Sequence, residues 1–232
     1  TETQLGGNAA SAITPGRLVL LRHGQTVWSE SGQHTGRTNI PLTDIGCDQA
    51  RAAGERLREA FPQGFAQGCM FAAVAQAQQT AQLAGYGDFD VLPEIAEWDY
   101  GRAEGRTRQE VSAVGGFAWD VWRDGPQALP ESLEGDWIET LPNGEQVPVH
   151  NGPGETVEEA AARTRGAIAT VKPLLDAGND VLLVAHAHVL RILTSQWLGV
   201  DPHFARLLRL DTAHYCVLSQ YKGDNVIEHW NC

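Results

Sequence analysis

The chain predicts an α/β fold with a mostly parallel central sheet, and three observations carry that expectation. Two short, continuously apolar runs each end in a histidine, each is followed by a helix-like segment, and the chain closes on two strand-like runs joined by a turn. The run Arg17 to Leu21 lies between Pro15-Gly16 and Gly24 and is too short for a stable helix, which suits a strand buried on both faces. The second run, Asp180 to Ala185, repeats the design and delivers His186. Ligands of open α/β sheets bind beyond the carboxyl ends of the strands, so both histidines stand where a ligand is expected.

The elements follow in order. After the first strand, Thr43 caps a helix from Asp44 to about Ala60, with Ala50, Ala53, Leu57 and Phe61 on one apolar face. Phe61-Pro62-Gln63-Gly64 ends it, Cys69 to Val74 reads as a second buried strand, and Gln76 to Ala84 as a helix closed by Gly85. Thr107 to Val114 and Phe117 to Trp122 read as two short helices. Residues 123–153 are rich in Gly, Pro and acids with little periodicity, which predicts a long loop or small hairpin forming a cap or lid insertion in an otherwise single domain spanning 1–232. Thr156-Val157-Glu158-Glu159 spells a capping box, and the helix behind it runs to about Ala177 with Ala160, Ala161, Ile168, Val171 and Leu175 facing the sheet. Val189 to Leu198 reads as the helix after the second histidine strand. The strands His214 to Tyr221 and Val226 to Trp230 flank the hairpin signal Lys222-Gly223-Asp224-Asn225.

Composition narrows the function classes. A chain of 232 residues with 42% hydrophobic content fits one α/β domain. A net charge of -12 disfavours nucleic acid and anionic membrane surfaces, which need a basic face, but permits a small anionic ligand held by local cations. Cys47, Cys69, Cys216 and Cys232 show neither C-x-x-C nor zinc spacing, so reduced thiols and a cytoplasmic setting are expected. Residues 1–16 lack the basic and apolar regions of a signal peptide, and no segment is long and apolar enough to span a membrane as a helix.

Arg22-His23-Gly24 alone supports little more than a polar strand end. Its continuation, Gln25-Thr26-Val27-Trp28, then Thr35-Gly36-Arg37-Thr38, Pro41-Leu42-Thr43, Gly46 and Gln49-Ala50, resembles the opening of the histidine phosphatase superfamily, which includes the cofactor-dependent phosphoglycerate mutases. The string Trp28-Ser29-Glu30-Ser31-Gly32-Gln33-His34-Thr35-Gly36 is most similar to the branch of bacterial acid phosphatases and fungal sedoheptulose bisphosphatases. The resemblance implies a phosphoglycerate mutase-like, three-layer α/β/α sandwich. It also implies a phosphomonoester hydrolase of small phosphorylated metabolites, sugar phosphates and bisphosphates among them, working through a phosphohistidine without cofactor or metal.

Carried over residue by residue, the resemblance makes His23 the nucleophile, Arg22 and His186 phosphate-holding groups, and Glu97 the proton donor. Glu97 is placed by Leu92-x-Glu94 and the later Gly101 and Glu104-Gly105, with Glu94, Asp99 and Glu104 left as ordinary loop acids. Substrate contacts fall on Ser29, Thr35, Gly36, Arg37, Gln76 and His188, with backbone amides near Gly36 expected to hold phosphoryl oxygens and His186 to help if protonated. His186-Ala187-His188 matches the branch's His-x-His, which as a metal site would lack third and fourth ligands; His188 reads as a helix cap or a distal substrate contact. The chain departs from the family at one junction. The usual Ser-Pro falls on Ala72-Ala73 and the usual arginine on Gln76, although Ala77 and Thr80-Ala81 are in place. A guanidinium grips phosphate with two charged prongs and an amide does not. Three readings follow: Arg37 or another arginine substitutes, the enzyme is weakened, or the chain binds phosphate ligands without turnover. Phosphoglycerate mutase-type phosphotransfer is the nearest rival activity. The expected partner is a small phosphorylated metabolite or inorganic phosphate, and a homo-oligomer is compatible with the sequence.

Overall fold

The computed structural model describes residues 12–232, so most of the N-terminal stretch read for a signal peptide, residues 1–11, lies outside the described residues. Strand β1 is Leu18–Arg22, and helix α1 is Val27–Ser31. Helix α2 is Asp44–Ala60, strand β2 Met70–Ala72, helix α3 Gln76–Leu83 and strand β3 Asp90–Val91. Then come helix α4 (Arg108–Gly115), strands β4 (Gly135–Thr140) and β5 (Gln146–Asn151), helix α5 (Val157–Asp176), strand β6 (Val181–Ala185), helix α6 (Ala187–Leu198) and strands β7 (Tyr215–Tyr221) and β8 (Asp224–His229).

The main sheet has the order β3-β2-β6-β1-β7-β8. β3, β2, β6 and β1 run parallel, while β7 and β8 are antiparallel additions at one edge. Leu18 to Leu21 and Val181 to Ala185 are buried on both faces, so helices cover the sheet on each side: α2 packs with α3, and α5 packs with α6. This is the mostly parallel α/β architecture the two apolar runs predict. The β7–β8 turn is tighter than the four residues expected. Lys222 and Gly223, both at positive φ, form a two-residue connection whose twist matches the strands.

Several boundaries move for identifiable reasons. Ala50, Ala53, Leu57 and Phe61 are buried as expected, and on α5 Ile168 packs half-buried against the core beside the fully buried Ala167. The Thr156 capping box is half formed. Thr156 Oγ1 accepts from the Glu159 amide at 3.1 Å, but Glu159 Oε1 reaches the Thr156 hydroxyl rather than its amide. The helix expected over Phe117 to Trp122 is absent. Gly116 ends α4 in the left-handed region, and Asp120 Oδ1 accepts from the amides of Trp122 and Arg123, bonds that replace helical ones. Within 123–153, β4 and β5 form an antiparallel hairpin whose Val147, Val149 and Trp137 pack on Trp28 and Ile40.

Candidate active site

The parallel register pairs Arg22 with Ala185, so the next residue of each strand arrives at the same sheet edge. His23 and His186 meet there with ring centroids 4.9 Å apart and planes at 65°. His23 is held on every side. Its amide donates to Ala185 O at 3.0 Å, its carbonyl accepts from Ala213 N at 2.9 Å, and its Nδ1 bonds to Gly24 O at 2.7 Å. The last bond fixes the tautomer. A carbonyl only accepts, so Nδ1 carries the proton and Nε2 keeps its lone pair. Burial, reinforced by the Arg22 charge, lowers the His23 pKa to about 3, so the ring is neutral at physiological pH.

Gly24 is required by a close approach. A Cβ there would lie 2.4 Å from Gly46 O, so the first turn of α2 can reach this loop only over a glycine. From the other side α3 supplies Thr80, whose hydroxyl accepts from the Gly24 amide at 3.1 Å and donates to Gln76 O at 2.8 Å.

Glu97 is buried, and its carboxylate sits on the start of α6. Oε1 accepts from Trp98 N and Val189 N, both at 2.8 Å, and Oε2 from His188 N at 3.2 Å. These bonds explain why α6 starts at Ala187, two residues earlier than the sequence suggested. Burial nevertheless raises the Glu97 pKa; the three amides and Arg22 oppose that shift without cancelling it. Arg163 of α5 fixes the loop that carries it, donating to Glu94 O at 3.0 Å and Ala96 O at 2.9 Å.

A pocket of about 200 Å³ opens over these groups, lined by Arg22, His23, Ser29, Thr35, Glu97 and His188 among the expected residues. Arg22 is anchored through Nη1 to Leu210 O at 2.7 Å, while its buried Nε has no partner among the described residues. Trp28, Gln33, His34 and Tyr100 also line the wall, the first three of them missed by the sequence reading. Tyr100 keeps its proton, because burial and the charges of Glu97 and Glu104 raise its pKa well above the ordinary value, and its hydroxyl is bonded to His188 Nδ1. His188 thus joins the pocket wall, and one of its ring nitrogens is already engaged. Among the described residues no cluster of three or more His, Cys, Asp or Glu side chains is arranged to hold a metal ion, and no helix is long and apolar enough to cross a membrane.

Three expectations are corrected. The amides near Gly36 are not available to a ligand: Gly36 N donates to both Glu104 carboxylate oxygens, at 2.5 and 2.8 Å, and Arg37 N to Oε1 at 3.0 Å. Glu104 is therefore not an ordinary loop acid. It is buried, with its pKa raised by desolvation to about 7, and it clamps the Thr35–Thr38 loop to the segment that carries Glu97 and Tyr100. The signal was the Glu-Gly of the matched pattern, whose partner lies 68 residues away. Finally, His186 is not protonated in the free pocket. Burial, then the neighbouring His23, Arg22 and Arg37, lower its pKa well below the ordinary value.

Gln76 occupies the expected arginine position at the site and is 1% exposed. Its Oε1 lies 3.4 Å from His186 Nε2, and its Nε2 donates to Thr38 O at 3.1 Å.

His23, a buried acid and an anchored guanidinium line one pocket, and His186 stands against His23. The family model described as "Histidine phosphatase superfamily (branch 1)" matches residues 18–232. The chain belongs to the histidine phosphatase superfamily. Within it, an acid phosphatase of Mycobacterium tuberculosis is 33% identical over 183 residues, covering 78% of this chain and 75% of that protein. The sedoheptulose 1,7-bisphosphatase of Saccharomyces cerevisiae is 27% identical over 214 residues, covering 82% of this chain and 69% of that one. The solved structure of an open reading frame product of Mycobacterium tuberculosis superposes with a TM-score of 0.75 at 28% identity, over 93% of this chain and 97% of that one.

Proposed function

We propose that the chain hydrolyses phosphate monoesters of small metabolites through a phosphohistidine on His23. The observation that carries this reading is the Nδ1 bond from His23 to Gly24 O, which leaves an unprotonated Nε2 at a pocket that also holds Arg22 and Glu97. Nε2 attacks phosphorus and the ester P–O bond breaks. Glu97, whose raised pKa favours the protonated form, gives its proton to the leaving oxygen. Water then attacks phosphorus, Glu97 takes the water's proton, the P–N bond breaks, and inorganic phosphate leaves with His23 restored. Arg22 balances charge on the phosphoryl oxygens, and His186 becomes a stronger donor once a dianion reverses the local field.

The pocket wall favours a small polyhydroxylated substrate. Ser29, Gln33, Thr35 and His188 offer polar contacts beside the faces of Trp28 and Tyr100, which suits sugar phosphates and bisphosphates. Transfer to a second alcohol, the mutase outcome, shares the first step. Release of inorganic phosphate without added bisphosphoglycerate distinguishes the two. Gln76 supports a second reading, a phosphate-binding protein with weakened turnover, because it puts a neutral amide where the family has an arginine.

The test is a base quench of enzyme mixed with a panel of sugar phosphates. Acid-labile phosphate on His23, absent from His23→Ala, is the expected result. Undiminished hydrolysis by His23→Ala with no trapped intermediate excludes the mechanism.

A further inference from the structure

We propose that Arg37 is the second phosphate-gripping guanidinium of this pocket, and that Gln76 is the positioning residue that holds the Arg37 loop against His186. The inference rests on the hydrolase reading and deepens it.

A phosphoryl group presents up to two negative charges on three equatorial oxygens. Against them the pocket offers one guanidinium, Arg22, and His23, which burial holds neutral beside an equally neutral His186. Arg37 lies two residues beyond Thr35, which lines the pocket. It is exposed, and its guanidinium has neither an ion pair nor a hydrogen bond to any of the described residues. Its charge nevertheless reaches His186, where it contributes to keeping the ring neutral.

The backbone around Arg37 is fixed rather than left to wander. Its own amide and that of Gly36 are taken by the Glu104 carboxylate, and a Cβ at Gly36 would lie 2.6 Å from Trp98 O, so the loop presses directly on its neighbour. On the other side, Gln76 Nε2 donates to the Thr38 carbonyl at 3.1 Å while Gln76 Oε1 faces His186 Nε2 at 3.4 Å. One neutral side chain therefore bridges the Arg37 loop and the second histidine. An arginine at position 76 has no acceptor, so it could meet His186 only by donating to an unprotonated Nε2. Gln76 and Arg37 are thus complementary: the amide ties the loop, and the loop brings the charge.

Affinity for inorganic phosphate, measured by calorimetry, tests this without relying on turnover. Arg37→Ala should weaken phosphate binding and, where hydrolysis occurs, lower kcat/KM on the order of 10²-fold. Arg37→Lys should recover part of the loss, since it restores charge without the two-pronged grip. Adding Gln76→Arg to Arg37→Ala should restore phosphate affinity by returning a guanidinium to the floor. Weaker phosphate binding by Arg37→Ala in a chain that hydrolyses no ester would uphold the role of Arg37 and reject the hydrolase. Phosphate affinity and kcat/KM within about twofold of the parent in Arg37→Ala would overturn the proposal. So would a double variant that melts with the parent yet binds phosphate no better than Arg37→Ala alone.

Discussion

His23 and His186 face one another, ring centroids 4.9 Å apart, because the β1–β6 register places them at successive ends of two paired strands. Both rings are buried and neutral, and this makes the fold sensitive to acid. The unfolded chain binds a proton at His23 below its ordinary value of 6.5, whereas the folded chain does so only near 3. Stability from this group is therefore complete above pH 6.5 and is lost as pH falls. The loss between pH 6.5 and pH 5 is about 2 kcal/mol. Urea unfolding of the parent and His23→Asn should show it: the difference between their stabilities shifts against the parent by that amount over this range. Parallel pH profiles for the two proteins would contradict it.

Glu104 works in the opposite direction. Its folded pKa of about 7 lies above the ordinary 4.5, so between these values the folded chain holds a proton that the unfolded chain has released. The stabilising contribution is present below pH 4.5 and disappears as pH rises through 7. Relative to Glu104→Gln, the parent should therefore lose roughly 3 kcal/mol across that window. Urea midpoints for the two proteins at pH 5 and pH 8 give the sign directly, and a parent that gains on Glu104→Gln with rising pH would refute it.

Glu97 should reveal itself through the leaving group. A general acid matters most when the departing alkoxide is basic, so Glu97→Gln should lower kcat by about 10²–10⁴-fold on a sugar phosphate and far less on an aryl phosphate with an acidic phenol. The same variant should lose the alkaline fall in rate that deprotonation of Glu97 imposes. Equal losses on both substrates would mean that Glu97 only caps α6.

Legibility in the sequence followed the range of the interactions involved. Leu18 to Leu21 and Val181 to Val184 could be read as buried strands because a continuous apolar run leaves few alternatives, and their histidines came with them. Thr43 and Thr156 were readable because a cap acts within three residues. Phe117 to Trp122 misled: Trp119 and Trp122 are packing residues of a non-helical segment, in which Trp119 Nε1 donates to Gly125 O and Asp120 closes the turn. Glu104 was passed over for a different cause. Its Glu-Gly marked it, but its burial is created by a loop 68 residues earlier in the chain. Gln76 was noticed only as a departure from a pattern, and its tie to Thr38 needed three dimensions.

The hairpin's hold on the site supplies the last prediction. Asn151, at the end of β5, is 1% exposed; its Nδ2 donates to Gly101 O and Glu104 O, each at 2.9 Å, and its Oδ1 accepts from Trp137 Nε1 at 2.6 Å. One amide thus ties the hairpin to the segment that runs from Glu97 to Glu104, and Glu104 in turn holds Arg37. Asn151→Ala leaves two buried carbonyls and an indole N–H without that partner, at a cost of about 3 kcal/mol. Trp137→Phe removes a single donor and trims the Cζ2–Cη2 edge that abuts Gly105, for about 1–2 kcal/mol. Thermal melts should rank parent, Trp137→Phe and Asn151→Ala in falling order. At temperatures where all three remain folded, Asn151→Ala should raise KM more than it lowers kcat, because it loosens the Arg37 loop while leaving His23 fixed by Gly24 and Ala185. A fall in kcat with KM unchanged would place the effect of the hairpin on the nucleophile instead.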